Sequence, residues 1–309
     1  MNKPKVLAII GPTASGKTNL ALELGMKYPI EIISLDSALI YQDMNIGTAK
    51  PSQRELDLIV HHLIDIITPI QNYDVANFVN DCSELITEIN NKGKIAFIVG
   101  GTMMYYNALV NGLNKLPNAD SNIRIEIQNK KNEIGISALY QELLDLDPLS
   151  ANRINPNDTQ RIERALEIFY LSGKPMSEFF NEQKKQHCFN QIPTVALIPD
   201  NRSNLHQQIK IRFLQMLKFG FIDEVIYLQQ KYPDLSLNLP SMRCVGYRQI
   251  WEYLDGMYSK NEMLDKGIIA TRQLAKRQLT WLKKFNIDIV INPYISLKDK
   301  LAAVEKLLQ

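Results

Sequence analysis

The run Val6-Leu7-Ala8-Ile9-Ile10 has no polar position and no alternation, which predicts a short strand buried on both faces. Two similar runs follow, from Glu31 to Asp36 and from Lys94 to Thr102. The residues between them take the longer helical period: Asn19 to Met26 after the first strand, and Val75 to Asn91 before the third, closed by Gly93. Strands alternating with helices predict an α/β fold with a parallel sheet. From Pro117 the pattern becomes helical without strands. Helices are expected over Ser121 to Asn132, Ile136 to Asp145, Thr159 to Leu171 and Pro175 to Gln186, with Asp158 as an N-cap and Gly173 then Pro175 as a stop. Thr194 to Pro199 resumes a strand. The expected organisation is an α/β core formed by residues 1–117 and 190–309, interrupted by an all-helical insertion at 118–189.

One late helix, Gly267 to Phe285, separates two kinds of residue. At 100° per residue, Ala270, Leu274, Ala275, Leu279, Trp281, Leu282 and Phe285 spread over one side. Arg272, Lys276, Arg277, Lys283 and Lys284 fall on the other, with no acid among them. Just before it, Arg243-Cys244-Val245-Gly246-Tyr247-Arg248 is expected to form a turn whose arginines suit phosphate and whose tyrosine suits base stacking. In the insertion, Arg161 and Arg164 lie three apart beside Gln160, where a solvated face is the default.

The first strand leads into Gly11-Pro12-Thr13-Ala14-Ser15-Gly16-Lys17-Thr18 and then a helix, which is a P-loop in its required strand–loop–helix context. The two glycines let the backbone wrap so that successive N–H groups point at one anion. Lys17 adds a charge, and Thr18 a hydroxyl for Mg²⁺. The core is therefore P-loop NTPase-like and built for a polyphosphate. Ligands of open parallel sheets sit at the carboxyl ends of the strands, where Asp36 and Thr102 should also emerge. Asp36 there could serve as metal ligand, general base or helix cap. Thr102, after Gly100 and Gly101, could face a ligand or cap the helix beginning at Met103.

Composition narrows the setting. The chain has 309 residues, 45% hydrophobic and 22% charged, with net charge +2, as expected of a soluble globular protein. It has no signal-like segment and no apolar run long enough for a bilayer, so a cytosolic location is expected. Cys82, Cys188 and Cys244 are far apart and include no CxxC, which disfavours both a disulfide framework and a zinc module. His61 and His62 are neighbours that cannot share one face, so they make a poor metal pair. The net charge conceals an asymmetry: residues 201–285 carry 14 Lys and Arg against 7 Asp and Glu, whereas residues 1–120 carry 9 against 12. A basic late segment attached to a polyphosphate site suggests a nucleic-acid partner.

Taken together, Gly11 to Thr18, Asp36-Ser37-Ala38-Leu39-Ile40-Tyr41, Ile46-Gly47-Thr48-Ala49-Lys50-Pro51, Gly100-Gly101-Thr102, Arg243 to Arg248 and Arg272 to Lys283 resemble the tRNA dimethylallyltransferases. The resemblance runs from about Lys5 to Phe285. It implies transfer of a dimethylallyl group from dimethylallyl diphosphate to N6 of the adenosine 3′ of the anticodon, in tRNAs reading codons that begin with U. It also implies roles by position. Asp36 matches the proton acceptor and Thr102 a residue that positions the reacting atoms. Lys17, Thr18 and Arg212 match groups around the diphosphate. Asp36, Ser37, Ala38 and Leu39, Arg124, Gln160-Arg161-Ile162-Glu163-Arg164, Arg243 to Arg248, and Lys276 to Lys283 with its cations Lys276, Arg277 and Lys283, match stretches that contact tRNA. The insertion resembles the part that holds the anticodon stem-loop. Many members have Gln where Leu39 stands, so a hydrogen bond from that side chain is unavailable. The zinc-finger tail of eukaryotic members is absent, which implies a bacterial-type enzyme with no zinc; Mg²⁺ as the cofactor and a monomeric state are expected.

The chemistry suits these residues independently of the resemblance. Cleaving an allylic C–O bond leaves negative charge on the diphosphate, which P-loop amides and cations stabilise. A carboxylate can accept the proton of an adenine amine. Two other readings use the same P-loop: a small-molecule kinase, and a nucleotide-switched RNA-binding protein. The kinase normally needs an arginine-bearing lid, whereas these basic residues fall mostly in long helices. The switch leaves Asp36 and Thr102 without a role.

Overall fold

All five residues of β1 (Val6–Ile10) are buried in the computed structural model, which describes residues 5–182, 189 and 192–308. β1 pairs in parallel with β4 on one side and β5 on the other. In chain order the first unit contributes β1, α1 (Lys17–Gly25), β2 (Ile30–Leu35), α2 (Gln53–Leu58), β3 (His61–His62), α3 (Val75–Asn91), β4 (Ile95–Gly100) and α4 (Met103–Asn111). After α5 to α8 it resumes with β5 (Thr194–Leu197), α9 (Arg202–Lys218), α10 (Phe221–Lys231), a short 3₁₀ turn (Ser241–Arg243), α11 (Tyr247–Leu254), α12 (Lys260–Leu282), β6 (Ile289–Ile291) and α13 (Leu297–Glu305). The chain divides into Met1–Val110 with Cys188–Gln309, and Asn111–His187.

The sheet is parallel throughout, in the order β3-β2-β4-β1-β5-β6. The α/β expectation therefore holds, and the central strands were legible because both faces are covered. The two edge strands, β3 and β6, were not foreseen. β3 has two half-buried residues, and β6 exposes Val290, so neither carries a full hydrophobic signal. Asp74 caps α3 by accepting from the N–H groups of Ala76 and Asn77, and its own N–H donates to Asn77. Phe78, Val79, Cys82, Ile86 and Ile89 turn the buried face of α3 inward. A second core forms where α9 to α12 pack around Phe213, Phe221, Met242, Tyr247 and Met263.

Among its described residues the other unit has helices and no named strand: α5 (Ser121–Leu146), α6 (Pro148–Ala151), α7 (Thr159–Ser172) and α8 (Met176–Glu182). The two helices expected over 121–145 are one run broken at Gly135, whose φ of 80° and ψ of 166° are not helical. Ile127, Leu139, Leu143, Ile162, Ala165 and Leu166 form its core. Residues 183–186 of the last expected helix, and Cys188, lie outside the described residues.

Candidate active site

The strand ends of β1, β2 and β4 open into a cavity of about 560 Å³ lined by the P-loop, residues 36–39, residues 47–49, residues 99–104, and side chains from α9 and α12. Gly16 is at φ 79°, a left-handed conformation that a side chain would strain, and it caps α1 without a side-chain hydrogen bond. The first-turn N–H groups of α1 are thus left for an anion, where the helix dipole also favours negative charge. Lys17 folds back to donate to the Pro12 carbonyl at 2.6 Å, and Ser15 Oγ donates to the same oxygen at 2.9 Å.

Asp36 follows β2 directly, and its carboxylate accepts from the Ala38 N–H at 2.9 Å. Thr102 follows β4, where the N–H groups of Gly101 and Thr102 both donate to the Leu35 carbonyl. Thr102 Oγ1 accepts from the Ser37 N–H at 3.0 Å and lies 3.3 Å from Ser37 Oγ. The hydroxyl therefore braces the residue next to Asp36. A Cβ on Gly100 would meet the Leu35 carbonyl oxygen at 2.1 Å, so the two strand ends approach as closely as glycine permits.

Arg212 enters from α9, on the same stripe as the lining residues Ile209, Phe213 and Met216. Burial and the Arg212 guanidinium pull Lys17 down to about 7, against the attraction of Asp36. Burial pushes Asp36 up, against the Ala38 N–H, Lys17 and Arg212. Arg212 is lowered by burial, with Asp36 opposing. Among the described residues the cavity lining sets four cations, Lys17, Arg212, Arg243 and Arg277, against the acid Asp36, and such an excess of positive charge is primed for a further anion. Cys244 also lines it, but burial pushes its thiol up to about 12, so at neutral pH it is no thiolate nucleophile.

α12 supplies the remaining wall. Thr271, Leu274, Arg277, Gln278 and Trp281 line the cavity, while Lys276, Lys283 and Lys284 are exposed. Four of the five expected cations, Lys276, Arg277, Lys283 and Lys284, are exposed, with Arg277 also reaching the cavity rim, whereas the Nε of Arg272 is buried. Nor is Trp281 simply core, since it lines the cavity with Lys284 4.9 Å above its ring. Leu39, Arg243 and Val245 are also lining residues. The expected turn at 243–248 is instead the end of the 3₁₀ turn followed by the start of α11. Tyr247 is buried edge-on to Phe221 and donates to Glu224 at 2.6 Å, which leaves no ring face for a base. Gly246 is buried, and exposed Arg248 reaches Glu252 at 3.1 Å.

In the helical unit, Arg124 and Arg164 both hold the buried carboxylate of Glu167, at 2.9 and 2.6 Å. Arg164 also donates to the Pro117 carbonyl, Arg161 pairs with Asp158, and Glu163 pairs with Lys131. Gln160 is exposed, while Ile162 is fully buried and presents no surface to a partner.

The roles of two residues escaped the sequence reading. Glu224 accepts from the N–H groups of Asn45, Ile46 and Gly47 at 2.7–3.0 Å, and so holds the loop whose residues 47–49 line the cavity. These three backbone partners lie about 180 residues away, beyond any local pattern. Gln278 stands on the buried stripe of α12 with Ala275 and Leu282, and a polar residue in that register was the available signal.

The IPP transferase family model matches residues 39–285. The chain is 54% identical over 294 residues to a tRNA dimethylallyltransferase of Neisseria meningitidis serogroup A, covering 95% of this chain and 94% of the relative. It is 50% identical over 301 residues to that of Chromobacterium violaceum, covering 97% and 91%. Among solved structures it resembles a tRNA isopentenylpyrophosphate transferase of Bacillus halodurans with TM-score 0.71 and 34% identity, covering 99% and 96%. It also resembles a eukaryotic dimethylallyltransferase captured acting on tRNA, with TM-score 0.80 and 26% identity, covering 98% and 77%.

Proposed function

Because the chain belongs to the tRNA dimethylallyltransferase (IPP transferase) family, we propose that it transfers the dimethylallyl group of dimethylallyl diphosphate to N6 of the tRNA adenosine 3′ of the anticodon, in tRNAs reading codons that begin with U. The observation that carries this reading is the meeting of the P-loop, Asp36, Thr102 and Arg212 in one cavity at the strand ends. The diphosphate lies on the N–H groups of Gly16, Lys17 and Thr18, with Lys17 and Arg212 balancing its charge. As the allylic C–O bond breaks and negative charge grows on the leaving diphosphate, these donors strengthen their hold without having to reorganise. The adenine amine attacks the allylic carbon and passes a proton to Asp36, whose raised affinity for protons suits a base that must hold one transiently. Thr102 keeps Ser37, and hence Asp36, in register.

Thr18 offers a hard hydroxyl oxygen beside the phosphate loop, which together with diphosphate oxygens fits Mg²⁺. No group of three or more His, Cys, Asp or Glu side chains is placed to hold a metal among the described residues, so the diphosphate itself would complete the shell. Bound there, the ion would neutralise diphosphate charge. The adenine must leave the anticodon-loop stack to reach this depth, at a cost of about a few kcal/mol. Stacking at Trp281 and phosphate contacts from Lys276, Arg277, Lys283 and Arg243 offset that cost. The helical unit holds the anticodon stem-loop through Arg124, Arg161 and Arg164 as they share their ion pairs with phosphate. The protein acts as a cytoplasmic monomer, and no helix among the described residues is long and apolar enough to cross a membrane. Incubating it with dimethylallyl diphosphate, Mg²⁺ and unmodified tRNA should yield prenylated adenosine by mass spectrometry, and tRNA of unchanged mass would refute the assignment.

A further inference from the structure

Gln278 is 8% exposed on α12, in a register otherwise given to apolar packing. An amide is costly to bury unless its donor and acceptor are both used. Here both are used, on two loops remote in sequence. Gln278 Oε1 accepts from the Thr13 N–H of the P-loop at 2.8 Å, and Nε2 donates to the Gly101 carbonyl at 2.9 Å. The junction has no slack, since a Cβ on Gly101 would lie 2.5 Å from Gln278 Nε2 and 3.2 Å from the Gly11 carbonyl oxygen. The two loops carry the two halves of the reaction. Thr13 belongs to the loop that ends in Lys17 and Thr18, and Gly101 directly precedes Thr102, which braces Ser37 beside Asp36. Gln278 itself stands next to Arg277, a cavity cation, and close to exposed Lys276.

We propose that Gln278 is a positioning residue that sets the spacing between the diphosphate-holding loop and the Thr102–Asp36 side of the cavity, and that makes this spacing depend on the seating of the tRNA-binding helix α12. The proposal rests on the prenyl-transfer reading above. Neither bond of Gln278 involves a reacting atom, so its loss should misplace the donor carbon relative to the base without removing either binding site. Small misplacements of this kind can cost up to about 10²-fold in rate.

The test compares the wild-type protein with Gln278→Leu and the near-isosteric Gln278→Glu. Rates are measured as single-turnover constants of adenosine prenylation at saturating dimethylallyl diphosphate and tRNA, because a first-order constant is insensitive to the fraction of active molecules. Gln278→Leu should lower the constant about 10- to 100-fold while the Kd for tRNA stays within about threefold. Gln278→Glu can still accept from Thr13, but its carboxyl can donate to Gly101 only when protonated. Its rate relative to wild type should therefore rise as the pH is lowered, a response that a packing role would not produce. Should Gln278→Leu fail to fold, that pH ratio decides alone. Wild-type constants in both variants, a loss confined to tRNA affinity, or a pH-independent ratio for Gln278→Glu would overturn the role while leaving prenyl transfer standing. Failure of the wild-type protein to prenylate adenosine would refute the activity, and the role with it.

Discussion

The Asp36 carboxylate, held by the Ala38 N–H and half-buried beside Lys17 and Arg212, is the one acid among the described residues that line the cavity. Asp36→Asn keeps its shape and removes its basicity, so prenyl transfer should slow by roughly 10²–10⁴-fold with tRNA affinity largely intact. Transfer at the normal rate would make Asp36 only a cap or a metal-shell residue. Lys17 yields a proton-linkage prediction. Its pKa of about 7 in the open cavity must rise once a diphosphate lies against it, so binding above neutral pH takes up a proton. The sign follows: the contribution of Lys17 to donor affinity is full below about pH 7 and declines as pH rises above it, until the pKa of the bound state is reached. Calorimetry at pH 8 in buffers of differing ionisation enthalpy should report net proton uptake on binding, and proton release would contradict it. Asp36, Thr102 and Lys17 were legible in the sequence because each sits at the end of a strong strand signal. Arg212 came only through resemblance, and the contacts of Glu224 and Gln278 not at all, since their partners come together only in the folded chain.

At the scale of elements, α12 combines an outward basic surface with a cavity wall. Exposed Lys276 and Lys283 should each contribute to tRNA binding through counterion release. Replacing either by Ala should flatten the slope of log affinity against log salt by about one unit, with little effect on diphosphate binding. An unchanged slope would remove that residue from the interface. The wheel placed these lysines and Arg277 correctly, but it could not see that the Nε of Arg272 is buried or that Trp281 stays half-exposed on the cavity wall, because a 100° projection does not say what lies opposite each face. The loop at 45–49 depends in the same way on α10. Glu224→Ala would leave three N–H groups and the Tyr247 hydroxyl without their acceptor, and should cost about 1–3 kcal/mol in denaturant unfolding. A cost near zero would mean that water replaces the carboxylate freely.

For the molecule as a whole, the order of burial explains what the sequence could reveal. β1, β2 and β4 lie at the centre of the sheet, almost wholly buried, and their uninterrupted apolar runs were enough to predict an α/β core with its ligand site at their carboxyl ends. β3 and β6 are short, partly exposed edges whose pairing is set by neighbours remote in sequence, so no local pattern announces them. The central claim is that this P-loop holds a diphosphate whose carbon chain, not a phosphoryl group, is transferred. Its most direct test is to measure pyrophosphate release from dimethylallyl diphosphate with and without tRNA, beside release or transfer of the γ-phosphate of ATP under the same conditions. Pyrophosphate should appear only with tRNA bearing an accessible adenosine and in equal amount to prenylated adenosine, with ATP left intact; stoichiometric ATP turnover without prenylated product would contradict the account.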